Sequence, residues 1–191
     1  MEKKQGQITG LVSPLLESIR MKKIKKIVHG GDILDYGCGY GRLSEKIPFD
    51  TYTGVDLDTS VLSFAKDRNS NLQNIAFFST EEFELINKRY DFIVLSAVIE
   101  HFKDPVIILK MLKARLKKQG KIIITTPTHF ANTILDFGSR IGIFSRCAFN
   151  EHNQIFSKND FYDIAKILNL KVIKYSRFEC GMNQLVVFSD G

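Results

Sequence analysis

The sequence predicts an α/β fold on a doubly wound, mostly parallel sheet with one antiparallel C-terminal strand. Three observations carry this. Short apolar segments rich in β-branched residues alternate with segments of helical period along most of the 191 residues. The first of them runs directly into Asp35-Tyr36-Gly37-Cys38-Gly39-Tyr40-Gly41, an acid followed by glycine at every second position. The last two, 171–175 and 184–188, leave no room for a helix between them and must pair as an antiparallel hairpin.

The elements follow in order. A leading helix within 10–28 places Val12, Leu15, Leu16 and Ile19 on one face. Strands are expected at 32–36, 51–55, 75–78, 92–95 and 121–125, with helices in the gaps, which implies parallel pairing through right-handed crossovers. The helix after the glycine turn should begin near Tyr40 and aim its amides at the turn. The next spans 59–67, with Asp58 as its N-cap. Asp104-Pro105 has the form of a cap and a first-turn proline, with Gly120 closing that helix, and Ser157-Lys158-Asn159-Asp160 resembles a capping box.

Length and a 44% apolar content suit one domain over 1–191 with a full core. No apolar run has signal-peptide or membrane-spanning length, so the chain is expected to be cytoplasmic. Cys38, Cys147 and Cys180 have neither metal-ligand nor C-x-x-C spacing, and their odd number argues against a disulfide framework. The net charge of +6 would suit an acidic partner such as RNA, a nucleotide-linked sugar or an anionic surface. Much of it lies in 22–26 and 113–118, read as solvated faces of helices.

Glycine lets a backbone bend tightly and approach a nucleoside closely. A dinucleotide loop is one reading of the turn, but its fingerprint is G-x-G-x-x-G, and here Arg42 stands where the third glycine would be. Asp35 would also repel a pyrophosphate. Asp56, ending the second strand, lies at the offset expected for a carboxylate that accepts ribose hydroxyls.

The stretch Asp35 to Gly41 resembles the first motif of class I S-adenosylmethionine-dependent methyltransferases, whose fold is a Rossmann-like sheet. The resemblance extends over Tyr90-Asp91-Phe92-Ile93-Val94-Leu95-Ser96-Ala97-Val98-Ile99-Glu100-His101 and over Gly120-Lys121-Ile122-Ile123-Ile124-Thr125-Thr126-Pro127. It is nearest to the small-molecule O-methyltransferases of the ubiquinone-pathway and polysaccharide-associated type. It implies S-adenosylmethionine as cofactor, with Asp35, Gly37, Cys38, Gly39 and Gly41 around its methionine end. Asp56 would take the ribose, Leu57 would pack on adenine, and Ser96 and Ala97 would complete the site. Many members place an aspartate after the third strand for the adenine amino group; here Ser79 or Thr80, or a backbone carbonyl, must serve. Some members hold a metal through two glutamates and a histidine. This chain keeps Glu100 and His101 but has Ala97 in place of the first glutamate, which implies no catalytic metal and leaves Glu100-His101 as a structural pair. The N-P-P-Y type motif of amino-directed DNA methyltransferases is absent, which disfavours methylation of DNA bases.

A methyl sulfonium is already activated, so the enzyme's task is to align the acceptor and exclude water. A hydroxyl acceptor also needs a base, for which His101, His129 and His152 are the candidates. Residues 128–150 are expected to form an acceptor-site lid, interleaving apolar residues with Arg140 and Arg146. That composition suits an acceptor with a greasy and an anionic part, or packing against a second subunit in a homodimer. The expected function is methyl transfer to a small-molecule or glycan-precursor acceptor, most simply a hydroxyl. RNA or protein methylation is an alternative favoured only by charge. A silent methyltransferase-like binding or oligomerisation module is another, opposed by the intact Asp35, Gly37, Gly39, Gly41 and Asp56.

Overall fold

The computed structural model describes residues 13–130 and 154–190. Helix α1 (Ser13–Lys25) leads into β1 (Asp32–Tyr36), followed by β2 (Thr51–Asp56), α2 (Thr59–Arg68), β3 (Ile75–Ser79) and α3 (Thr80–Glu84). Then come β4 (Tyr90–Ser96), α4 (Pro105–Ala114), β5 (Leu116–Pro127), α5 (Lys158–Ile167), β6 (Lys171–Phe178) and β7 (Asn183–Ser189). The strands make one seven-stranded sheet in the order β3-β2-β1-β4-β5-β7-β6. Strands β1 to β5 pair in parallel, and β7 runs antiparallel between β5 and β6. The direction of winding reverses between β1 and β4, and in such sheets ligands bind beyond the carboxyl ends of the strands at that reversal.

Strand alternation divides the core. Leu34, Ile93, Leu95, Ile122 and Ile124 face Phe83 of α3, Leu109 and Leu112 of α4, and Phe161 and Ile164 of α5. Ile33, Val94, Ile123 and Tyr52 point to the other side, against Ile24 of α1 and Leu62 and Ala65 of α2. Each such aliphatic or aromatic side chain removed from water is worth about 1.5–3 kcal/mol, so the central strands, apolar on both faces, anchor the sheet. The expected caps are present. Asp58 accepts from the Ser60 amide at 2.9 Å, Asp104 accepts from Val106 and Ile107, and Ser157 and Asp160 form a reciprocal box.

Several expectations are corrected. Residues 40–47 form successive turns rather than a helix beginning near Tyr40. The left-handed φ of +66° at Gly41 bars a right-handed helix until Arg42, and Pro48 follows after too few residues to repay nucleation. Helix α4 ends at Ala114, not at Gly120. Tyr90 pairs with Leu116 while Phe92 pairs with Lys121, so residues 117–120 bulge out of β5.

Long-range anchors fix that bulge. The Arg115 guanidinium lies 4.2 Å from the Phe83 ring centre and donates to the carbonyls of Phe83, Glu84 and Ile86. The Lys117 ammonium bridges Asp32 at 2.6 Å and Asp91 at 2.7 Å, so these cations are structural rather than a solvated helix face. On α1, Leu15 is 60% exposed, while Ile19, Met21 and Ile24 pack on the core, with Ile27 and Val28 just beyond the helix. Among the described residues no helix is long and apolar enough to cross a membrane.

Candidate active site

The site begins where β1 ends. The amides of Gly37 and Cys38 both donate to the Val55 carbonyl, at 2.7 and 2.9 Å, and bind the turn to β2. Gly37 has φ +82°, and a Cβ there would overlap the Val98 side chain. Gly39 differs. It also has a positive φ, but a Cβ there would meet no atom within 4 Å, so its open face is space a ligand can use.

Two carboxylates frame this turn. Asp35 is 2% exposed, and its Oδ2 accepts the Tyr52 hydroxyl at 2.5 Å. Burial pushes its carboxyl up to about 7, against the opposing Tyr52 hydrogen bond and with a smaller push from the charge of Asp56. Asp56 holds the turn from the other side. Its Oδ2 accepts the Gly39 amide at 2.7 Å and its Oδ1 accepts the Asp58 amide at 3.0 Å. A carboxylate has about four lone-pair sites, so each oxygen can still accept a hydroxyl. Cys38 is buried between these acids, and burial raises its thiol far above the usual range.

A pocket of about 150 Å³ opens at the reversal of winding, lined by Asp35, Gly37, Cys38, Gly39 and Ser96 from the strand ends. Glu17, Arg20 and Met21 of α1 form its other wall, with Tyr40, Arg42 and Leu43 of the turns. Arg42 and Glu17 close an ion pair across it at 2.6 Å. Beyond Asp56, Leu57 is 77% exposed, and Phe64 packs on Tyr40 with ring centres 6.0 Å apart.

Residues 7–175 match the family model for a methyltransferase domain. The chain belongs to that methyltransferase family. Among curated proteins it is similar to the ubiquinone biosynthesis O-methyltransferase of Coxiella burnetii, with 31% identity over 119 residues, 59% of this chain and 51% of that protein. It is also similar to the malonyl-[acyl-carrier protein] O-methyltransferase of Acetivibrio thermocellus, 32% over 111 residues, 56% of this chain and 39% of that one. The chain thus spans about half the length of the Coxiella relative. Magnesium protoporphyrin IX methyltransferase from Synechocystis PCC 6803, solved with bound SAH, shares the fold with a TM-score of 0.70 at 12% identity, over 98% of this chain and 90% of that one.

The residues of the turn fit S-adenosylmethionine, the cofactor that the resemblance to class I methyltransferases implies. The open face at Gly39 leaves room for it, and the buried Asp35 carboxyl, which forms no ion pair among the described residues, offers a negative partner to its ammonium and sulfonium. Other residues singled out in the sequence are placed as follows. Ser79 lies beside Asp56 in the β2–β3 register, but its hydroxyl caps α3, accepting the Glu82 amide at 3.2 Å, and Thr80 opens that helix. Ser96 ends β4, with the Thr125 hydroxyl 3.3 Å from its own. Ala97 follows at φ +56°.

Glu100 is 1% exposed and accepts the Thr126 hydroxyl at 2.9 Å, while its carbonyl accepts the Gln154 amide at 3.1 Å. It braces the strand ends. His101 and His129 are exposed beyond the carboxyl ends of β4 and β5. His152, Arg140, Arg146, Cys147 and lid positions 131–150 lie outside the described residues. Among the described residues no three His, Cys, Asp or Glu side chains gather as a metal-ligand set.

The sequence reading missed Tyr52 as the partner of Asp35, and Arg20 and Glu17 as pocket wall. Tyr52 pairs with Ile33 in the parallel register and so points to the face of Asp35, two residues on. That relation is readable once β1 and β2 are aligned.

Proposed function

We propose that the chain transfers a methyl group to a hydroxyl of a small-molecule or glycan-precursor acceptor. The observation that carries this is the pocket at the reversal of winding, where a buried carboxyl lies under a glycine turn with one open face. The O-methylating curated relatives support the choice of oxygen. When bound, the cofactor supplies a sulfonium methyl that needs alignment more than activation.

In this reading Asp35, Gly37, Cys38, Gly39 and Gly41 hold the methionine end of the cofactor. Asp56 takes the ribose hydroxyls with its remaining lone pairs, and the exposed Leu57 covers the adenine. Ser79, Thr80, Ser96 and Ala97 edge the site. His101, His129 or His152 receives the acceptor proton. The reaction runs without a catalytic metal, since Ala97 stands where metal-binding members carry a glutamate.

Calorimetric titration tests the cofactor side: S-adenosylmethionine and S-adenosylhomocysteine should bind and NAD should not. On the acceptor side, tritiated methyl donor should label small hydroxyl-bearing metabolites from an extract, with EDTA leaving the transfer intact. Label appearing only in RNA or protein would overturn this reading.

A further inference from the structure

Beside the cofactor pocket lies a second and larger one, of about 400 Å³, between α1, the turns that follow Gly41 and the last turn of α2. Five cations line it against two carboxylates, an excess of three positive charges on one concave surface. A cleft lined by one sign of charge focuses its field and concentrates counter-ions, so this excess points to an anionic ligand.

The ion pairs strengthen the case. Both carboxylates are already engaged: Glu17 accepts from Arg42 at 2.6 Å, and Glu45 takes Arg68 at 2.6 Å and Lys46 at 3.9 Å. Lys22 and Lys25, exposed and three residues apart on α1, enter no ion pair among the described residues. Like charges at such spacing repel rather than support the helix. Neither arginine is exhausted. Arg68 spends Nε and one Nη on Glu45, and Arg42 one Nη on Glu17, whereas a guanidinium has five N–H donors. The negative end of the helix dipole favours cations anywhere around the last turn of α1, so it accounts for Lys22, Lys23 and Lys25 alike. It does not account for two of them sharing a pocket with Lys46 and Arg68 from other parts of the chain.

Size and layout select among anions. One side of the pocket carries the two lysines of α1, and the other carries Lys46 and Arg68. Arg42 stands at the boundary with the cofactor pocket, which it also lines. A single phosphate has charge for one side, whereas two linked phosphates reach both. Lysine ammoniums and partly used arginine forks are donors that suit phosphate oxygens. Met21 and the aliphatic stems of the lysines complete the wall.

We propose that this pocket binds a diphosphate group, free or carried by a nucleoside, at a site distinct from the methyl-donor pocket. It lies beyond the Arg42–Glu17 ion pair from the methyl donor and is independent of the choice of acceptor.

Calorimetric titration of the full chain at fixed ionic strength tests this, with pyrophosphate and uridine diphosphate as probes and sulfate as control. Pyrophosphate should bind saturably, and sulfate should not. Uridine diphosphate binding tighter than pyrophosphate identifies a nucleoside-borne group; affinity no tighter identifies the diphosphate alone. The double variant Lys22→Gln, Lys25→Gln should weaken pyrophosphate binding about tenfold or more, since two charge-assisted contacts are lost. Lys46→Gln, from the other side, should weaken it as well. Lys26→Gln removes a charge from the same lysine run but outside the pocket, and should change affinity roughly twofold or less, because a distant exposed charge is screened. Saturation with S-adenosylhomocysteine should leave pyrophosphate bound.

Absence of pyrophosphate binding, equal binding of sulfate, or equal losses in Lys26→Gln and the double variant would overturn the proposal. So would displacement of pyrophosphate by S-adenosylhomocysteine, which would put the anion in the cofactor pocket. A single-stranded oligonucleotide held through Lys22 and Lys25 in place of pyrophosphate would also overturn it, and would assign this face to nucleic acid.

Discussion

The Tyr52 hydroxyl donates to Oδ2 of Asp35 at 2.5 Å beneath the glycine turn, and this pair sets the charge of the pocket floor. With its carboxyl near 7, Asp35 is protonated in the folded chain over a range where the unfolded chain, at about 3.8, has already ionised. The folded state then binds more protons than the unfolded state. The contribution to stability is present below about pH 4 and is lost as pH rises to about 7, on the order of 4 kcal/mol in all. Asp35→Asn should match the wild type in urea unfolding near pH 4 and exceed it near pH 8. A cationic ligand reverses the preference, so S-adenosylmethionine should bind more tightly as pH rises through 7, with proton uptake by the buffer. Equal pH slopes in wild type and variant would place the titration elsewhere.

The glycines of the turn should separate fold from ligand binding. Gly37→Ala forces a methyl into Val98 at φ +82° and should destabilise the protein by roughly 2–4 kcal/mol, combining overpacking with left-handed strain. Gly39→Ala meets nothing within 4 Å, so only the strain of about 1–2 kcal/mol remains. That methyl nonetheless occupies the open face. Gly39→Ala should lose no more stability than that strain yet lose most affinity for S-adenosylhomocysteine in titration. Retained affinity would mean that the ligand does not approach the turn there.

Asp56→Ala removes the acceptor of the Gly39 and Asp58 amides along with the proposed ribose contact. Affinity for S-adenosylhomocysteine should fall by about 1.5–3 kcal/mol, the range for hydrogen bonds to a charged group. Asp56→Asn discriminates between roles. It keeps one acceptor oxygen for the Gly39 amide, so the turn should persist while ribose binding weakens. Calorimetry on both variants, beside circular dichroism, reads the difference.

The glycine turn and the succession of strands along the chain were legible because both depend on local spacing: Asp35, Gly37, Gly39 and Gly41 stand at every second position, and β1 to β5 show as separate apolar runs. Features that depend on distant residues were not. The bulge in β5 follows from Lys117 reaching Asp32 and Asp91, and a lysine-rich run after α4 reads locally as more helix. The missing helix at 40–47 reflects backbone angles at Gly41 that a ligand-binding motif conceals.

Ala97 offers a test of whether backbone strain at the end of β4 serves binding. Its amide donates to the Thr125 carbonyl at 2.8 Å while its φ of +56° lies in the left-handed region, which costs an alanine about 1–2 kcal/mol. Glycine removes that cost but adds about 0.5–1 kcal/mol of unfolded-chain entropy, so Ala97→Gly should stabilise the protein by a net amount of about 0.5–1 kcal/mol. Urea unfolding at constant slope would measure it. Ser96, on the pocket wall, is the preceding residue, and a freer backbone there should hold it less firmly. Affinity for S-adenosylhomocysteine should therefore fall as stability rises. A more stable variant with unchanged affinity would assign the strain to the β4–β5 connection alone.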